Sequence, residues 1–240
     1  MAAIMLMVTA MLAVGCTKPD EPNNGGDNEN DEIGLNGHEY VDLGLPSGTL
    51  WATCNVGATV PEGYGNYYAW GEIAPKANYS WSTYKYCNGG EGWNTLTKYC
   101  NSTDFGYEGF ADSRISLLPE DDAATVNWGE GWCIPSTEQW IELRDNTYIE
   151  VITINGVNGR RFTASNGNSI FIPAPGYYCG EEIVDLNFDG ICVHGWSSEL
   201  DTRYPASAWG FYVYSSGIEF GDCSRSYGYT VRPVVRSNQQ

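Results

Sequence analysis

The chain has 240 residues, a formal charge of −18, 42% hydrophobic residues and 14% aromatics, with 9 Trp, 17 Tyr and 29 Gly. That length suits one domain of about 150–200 residues plus extra segments, with enough apolar residues for a core. So acidic a chain repels nucleic acid and anionic membrane surfaces, which excludes both as partners.

Residues 1–15, MAAIMLMVTAMLAVG, are apolar or small throughout. The run is short for a membrane span and reads as a signal-peptide core. It ends in Ala13-Val14-Gly15-Cys16, which resembles a bacterial lipobox, so Cys16 is expected to carry lipid on its thiol. Ala13 stands where Leu is usual, and no Lys or Arg precedes the run. Residues 16–36 are polar, acidic and rich in Asn, Gly and Pro, a composition that makes a flexible tether.

The composition changes at Gly37, where a domain spanning 37–236 is expected to start. His38 to Leu43 alternates as a strand, Leu45-Pro46-Ser47-Gly48 is a turn, and Thr49 to Val56 is a returning strand. Gly65–Glu72, Tyr79–Tyr86 and Leu96–Cys100 are short aromatic segments between Gly and Asn, read as long loops with brief strands. Glu120 to Ala124 opens a helical turn, with Asp121-Asp122 at its start.

The stretch Trp128 to Leu143, WGEGWCIPSTEQWIEL, organises the rest. Trp128 and Trp132 form a clamp among glycines. Ser136 is an N-cap, Gln139 completes a capping box, and Glu138 suits the positive end of the helix dipole. Trp140, Ile141 and Leu143 give the apolar face, and Asn146 ends the helix. Tyr148–Ile154, Arg160–Ala164 and Ser169–Ile172 read as strands, with Asn155-Gly156, Asn158-Gly159 and Asn166-Gly167 as turns and Pro173 and Pro175 as stops. Residues 176–206 read as irregular. Ala208–Tyr214, Ile218–Gly221 and Tyr229–Val235 read as closing strands. The fold class is therefore α+β and loop-rich, with short antiparallel strands and one or two helices.

Several residues carry possible chemistry. Setting Cys16 aside leaves Cys54, Cys87, Cys100, Cys133, Cys179, Cys192 and Cys223, from which an exported domain is expected to form three disulfides with one thiol over. No C-x-x-C redox pair occurs. Asp185, Asn187 and Asp189 form D-x-N-x-D-G, a partial calcium loop with Glu181, Glu182 or Glu199 to complete it; the twelfth position of a full EF-hand is Trp196, not Glu. Calcium is the one cofactor for which the sequence offers ligands. Glu21-Pro22-Asn23 matches a sugar-lectin tripeptide but lies in the tether. Aromatic rings in polar, glycine-rich loops are candidate ligand platforms, Trp70, Trp81 and Trp93 foremost, although most rings of a helix-poor domain are core. His38 and His194 stand far apart, with neither H-E-x-x-H nor G-x-S-x-G present, so no catalytic residue is named.

In order along the chain, GTLWATCNVGA (48–58), GNYYAWGE (65–72), LTKYC (96–100), DDAATVNWGEGWCIPSTEQWIEL (121–143), GNSIFIPAPGY (167–177), GWSSEL (195–200) and GYTVRPV (228–234) resemble the Fibrobacter succinogenes major paralogous domain family, common in Bacteroidetes surface lipoproteins. Cys133 stands where that family usually has Arg. The resemblance implies a C-type-lectin-like fold, shared with sulfatase-modifying (formylglycine-generating) factors, and a role in surface binding or adhesion. Lys18-Pro19-Asp20-Glu21 is similar to the acidic export signal of such lipoproteins. The expectation is a lipid-anchored protein on the outer membrane surface that binds an extracellular glycan or protein without catalysis and meets the membrane only through its anchor. Two alternatives stand beside it. One is an oxidoreductase of the formylglycine-generating type, whose cysteine pair is matched here by Cys223 alone. The other is a structural envelope or pilus-associated subunit.

Overall fold

Asp122 and Ser136 start the two helices, and both do so through their side chains. The computed structural model describes residues 34–90, 92–184, 192–214 and 217–235, all of them in the compact unit Glu32–Gln240. Asp122 Oδ1 accepts from the N–H groups of Ala124 and Thr125 and caps α1 (Ala123–Trp128). Its other oxygen accepts from Ile134 N–H at 2.9 Å, which ties that helix start to the chain beyond Trp132. Ser136 and Gln139 form the expected capping box at the head of α2 (Thr137–Asn146). Each bond satisfies an amide that the first helical turn leaves without a partner.

The strands, in chain order, are β1 (Gly34–Leu35), β2 (His38–Asp42), β3 (Leu50–Ala52), β4 (Tyr67–Tyr68), β5 (Trp132–Cys133), β6 (Thr147–Ile154), β7 (Val157–Ala164), β8 (Ser169–Pro173), β9 (Tyr177–Cys179), β10 (Glu182–Val184), β11 (Val193–Leu200), β12 (Ser207–Tyr214), β13 (Gly217–Ser224), β14 (Tyr229–Thr230) and β15 (Val234–Val235). They form an antiparallel α+β structure. One sheet runs β1-β2-β3-β15-β5, two three-stranded sheets run β6-β7-β8 and β11-β12-β13, and two pairs join β4 to β14 and β9 to β10. Val234 lies opposite both Trp51 and Cys133, so β15 sits between strands from much earlier in the chain.

Two clusters form the core. One gathers Tyr68, Trp70, Tyr84, Tyr99, Trp132, Trp196 and Tyr229. The other gathers Trp51, Trp140, Leu143, Phe162, Ile172, Val193, Phe211 and Val234. Buried indoles need acceptors for their N–H groups. Trp70 Nε1 donates to Ser197 O at 2.9 Å and Trp140 Nε1 to Trp196 O at 3.1 Å, so β11 becomes the strand that both helical and loop aromatics lean on. Trp128 and Trp132 do meet, edge to face at 5.0 Å, and His38 stacks on Trp128 at 3.9 Å.

Several sequence expectations change. Gly34–Leu35, expected in the tether, is a strand: Trp132 Nε1 donates to Leu35 O and the Asn36 amide donates to Trp128 O. Asn158-Gly159 is no turn but part of β7, where a side chain on Gly159 would meet Ile172 O at 2.4 Å. Segment 176–206 contains three strands, among them the buried β11. His194, expected in a loop, lies inside β11 with 2% exposure, and burial lowers its pKa to about 4. Tyr229–Val235 splits into β14 and β15 rather than one strand.

Candidate functional site

Three loops far apart in sequence bring aromatic rings together at one place on the surface. Trp93 lies within the tip of a loop closed by bonds from Asn88 N–H to Thr95 O at 2.8 Å and from Thr97 N–H to Tyr86 O at 3.0 Å. The Thr95 N–H bond to Gly92 O makes Trp93 and Asn94 the middle of a tight turn, which points the indole outward. Phe105 closes a second turn, with its N–H on Ser102 O, and its carbonyl accepts from Leu96 N–H at the base of the first loop. Tyr204 sits in a third turn, between bonds to Asp201 O and from Ser207 N–H. The Asn101 amide donates to Thr202 O at 2.9 Å and links the second loop to the third.

Phe105 is the wedge of this cluster. It meets Tyr204 edge-on at 4.8 Å and Trp93 at 5.4 Å, while the Trp93 and Tyr204 rings lie 6.0 Å apart with planes 33° from parallel. Trp93 keeps 45% of its surface exposed and Tyr204 40%. Large rings held by three anchored turns, yet left open, offer stacking faces whose ordering is complete before any ligand arrives.

Beneath the platform lies Arg225, fully buried. Its Nε donates to Tyr84 Oη, Nη1 to Tyr99 O and Pro205 O, and Nη2 to Lys98 O. One planar guanidinium thus joins the segment after Leu96 to the turn that carries Tyr204. It also lies over the Trp70 ring at 4.9 Å. Asp121 braces the same segment by accepting from Lys98, Tyr86 and Tyr99. Burial alone would raise the Asp121 pKa, but those donors outweigh it and hold the carboxyl at about 2.

Trp93 is the one expected ligand tryptophan in this platform. Trp70 is a correction: it is fully buried, with its N–H on β11, and cannot meet a ligand. Trp81 is half-buried against Tyr84 and does not join the other rings. Phe105 and Tyr204 escaped the sequence reading. Their signal was a large ring inside polar turn sequences, Thr-Asp-Phe-Gly and Thr-Arg-Tyr-Pro.

Asp185, Asn187 and Asp189 lie outside the described residues, as does Cys16. Of the acids expected to complete the calcium loop, Glu199 accepts from Thr137 N–H at 3.1 Å and Glu181 from the Asn78 amide at 3.2 Å. No cluster of three metal-ligating His, Cys, Asp or Glu occurs among the described residues.

The expected three disulfides are not formed: Cys54, Cys87, Cys100, Cys133, Cys179, Cys192 and Cys223 are all thiols. Several are engaged locally. The Cys87 thiol donates to Gly92 O, Cys100 donates to Ser102 O, and Cys223 lies 2.6 Å from Tyr229 Oη. Burial pushes the Cys100 and Cys223 thiols above their usual range, which suits inert packing rather than nucleophilic work.

A cavity of about 270 Å³ opens between β2, β3 and α1, lined by His38, Glu39, Thr53, Cys54 and Trp128 among others. Burial lowers the pKa of His38, whose ring is already stacked on Trp128. In comparisons with known proteins, no family model, curated protein or solved structure matches this chain.

Proposed function

We propose that the chain is a lipid-anchored surface protein whose domain binds extracellular glycan, without catalysis, through the Trp93–Phe105–Tyr204 platform. The observation that carries this reading is the convergence of three anchored loops on open aromatic faces. The axial C–H groups of a sugar ring stack on such faces, and neighbouring polar side chains such as Asn94, Asn101 and Asp104 supply hydrogen-bond partners for hydroxyls. The domain is C-type-lectin-like in this proposal. Supporting that are the two helices and the closure of the sheet by β15 beside strands from the start of the domain. In this proposal the anchor at Cys16 and a tether that ends before β1 hold the platform away from the bilayer.

The test is binding of the full chain to a glycan array, then titration of the best sugar by calorimetry. Trp93→Ala and Tyr204→Ala should each weaken binding by about tenfold or more, since a lost stacking ring is worth roughly 1–2 kcal/mol. Tyr148→Ala, an exposed ring on β6 and outside the three platform loops, should bind as the parent does. Equal binding by all three variants would remove the platform from the function. Loss of binding in chelator would bring in the Asp185, Asn187 and Asp189 loop as a calcium site.

A further inference from the structure

One long strand in this protein has an edge that nothing among the described residues covers. β6, with the sequence TYIEVITI, pairs with β7 alone. Asn155 (φ 48°) and Gly156 (φ 85°) form the two-residue turn between them, so Ile154 and Val157 close the hairpin. The alternation of an antiparallel ladder then turns the peptide groups of Tyr148, Glu150, Ile152 and Ile154 toward β7. Those of Thr147, Ile149, Val151 and Thr153 point away. The other side of β7 agrees with this phase: Ala174 N–H donates to Asn158 O, and Ala164 N–H to Asn168 O.

Protein sheets blunt such edges with Lys, Pro or bulges. β6 has no Lys, no Pro and an unbroken register over its eight residues. Its one charge, Glu150, is held on its own sheet by Arg161 at 3.2 Å. Tyr148 is 72% exposed and Val151 48%.

We propose that this edge joins two copies of the chain, β6 to β6, antiparallel about a two-fold axis at Val151. Only residues with outward peptide groups can exchange hydrogen bonds across such an axis, which leaves few registers. An axis at Glu150 would set two carboxylates directly opposite each other, a destabilising pair. An axis at Ile149 shortens the overlap. An axis at Val151 pairs Ile149 with Thr153 of the second copy and Val151 with its own counterpart through hydrogen bonds. Between these, Tyr148 lies beside Ile154 of the second copy and Glu150 beside Ile152, an aromatic to β-branched pairing with no like charges opposed. The strand is self-complementary in peptide phase, in charge and in side-chain type, which selects a second copy over a foreign strand. The overall charge of −18 opposes the encounter at long range. Salt screens that repulsion, so association strengthens as ionic strength rises, opposite to an interface held by ion pairs.

The experiment is sedimentation velocity of the purified full chain from about 0.05 M to about 0.5 M NaCl, with amide exchange of β6 followed by NMR. The expected result is a dimer favoured by concentration and salt, with the amides of Ile149, Val151 and Thr153 gaining protection on association. Val151→Lys, at an exposed position, should weaken dimerisation by about tenfold or more while the melting temperature of the monomer holds. At about 0.5 M NaCl, where the overall repulsion is screened, Glu150→Gln should change dimerisation by less than about threefold; a larger strengthening there would move the axis to Glu150 and overturn the register. A monomer under every condition, or a dimer indifferent to Val151→Lys, would overturn the proposal. Trp93→Ala should dimerise as the parent does, which separates this edge from the ligand platform.

Discussion

Replacing Arg225 by Lys keeps the charge and removes the geometry. The guanidinium makes four hydrogen bonds, at 2.9 Å to Tyr84 Oη, 2.8 Å to Tyr99 O, 3.0 Å to Pro205 O and 3.0 Å to Lys98 O. These acceptors diverge from a planar fork that one ammonium cannot reproduce. At least two of them lose their donor in a buried site, at about 1–3 kcal/mol each. The flat contact with Trp70 is lost too. The expected destabilisation is about 3–5 kcal/mol, a large share of the roughly 5–15 kcal/mol that holds most domains together. Urea unfolding of the full chain, followed by tryptophan fluorescence, measures it as a lower midpoint with an unchanged slope. A second consequence is local. The Arg225 bonds fix the carbonyls beside Tyr204 and below Trp93, so under conditions where the variant is still folded its sugar affinity should fall as well. A loss below about 1 kcal/mol would refute the reasoning, because the carbonyls would then have found other donors at little cost.

Two further outcomes follow from buried groups. His194 has a pKa of about 4 in the fold against 6.5 when exposed, so the unfolded chain binds the extra proton between those values. Stability should therefore be complete above about pH 6.5 and fall by about 3 kcal/mol toward pH 4. His194→Gln should flatten that slope in urea titrations at stepped pH, and an unchanged slope would mean that the ring is solvated. The thiols make the other test: dithiothreitol should leave the melting temperature unchanged, and a thiol reagent should label exposed Cys179 first, with buried Cys87 and Cys100 reacting only on unfolding. A reductant-dependent fall in melting temperature would show that disulfides hold the fold after all.

Signals that act within a few residues were legible in the chain. The capping box at Ser136 and Gln139, the helix start at Asp121-Asp122 and the turn at Asn155-Gly156 all depend on nearest neighbours, and each stands as read. Gly159 carried the same letters as a turn, yet its role is to let Ile172 and Phe171 of β8 approach the backbone. Only the partner strand can tell those two uses apart. β11 was missed because VHGWSSEL lacks the alternation of a half-exposed strand. It is covered on both faces near Gly195, where an added side chain would meet Trp140 at 3.0 Å. The tryptophans divide for the same reason: Trp70 and Trp93 sit in similar glycine-rich sequence, and tertiary packing alone buries the first and exposes the second. Arg225, the anchor of the platform, is a charged residue in a polar segment, and nothing local marks it for the interior.

The position of β15 sets a schedule for folding. Val234 and Val235 fill the gap between β3 and β5, so Leu50–Trp51 and Trp132–Cys133 have no shared neighbour until residues near 234 arrive. Contacts of that separation close slowly, because the loop entropy is lost before the ladder forms. Until then β1, β2 and β3 can pair only among themselves, and β5 has no strand through which to join them. The five-stranded sheet closes only when β15 arrives, whereas the local ladders β6-β7-β8 and β12-β13 can form without it.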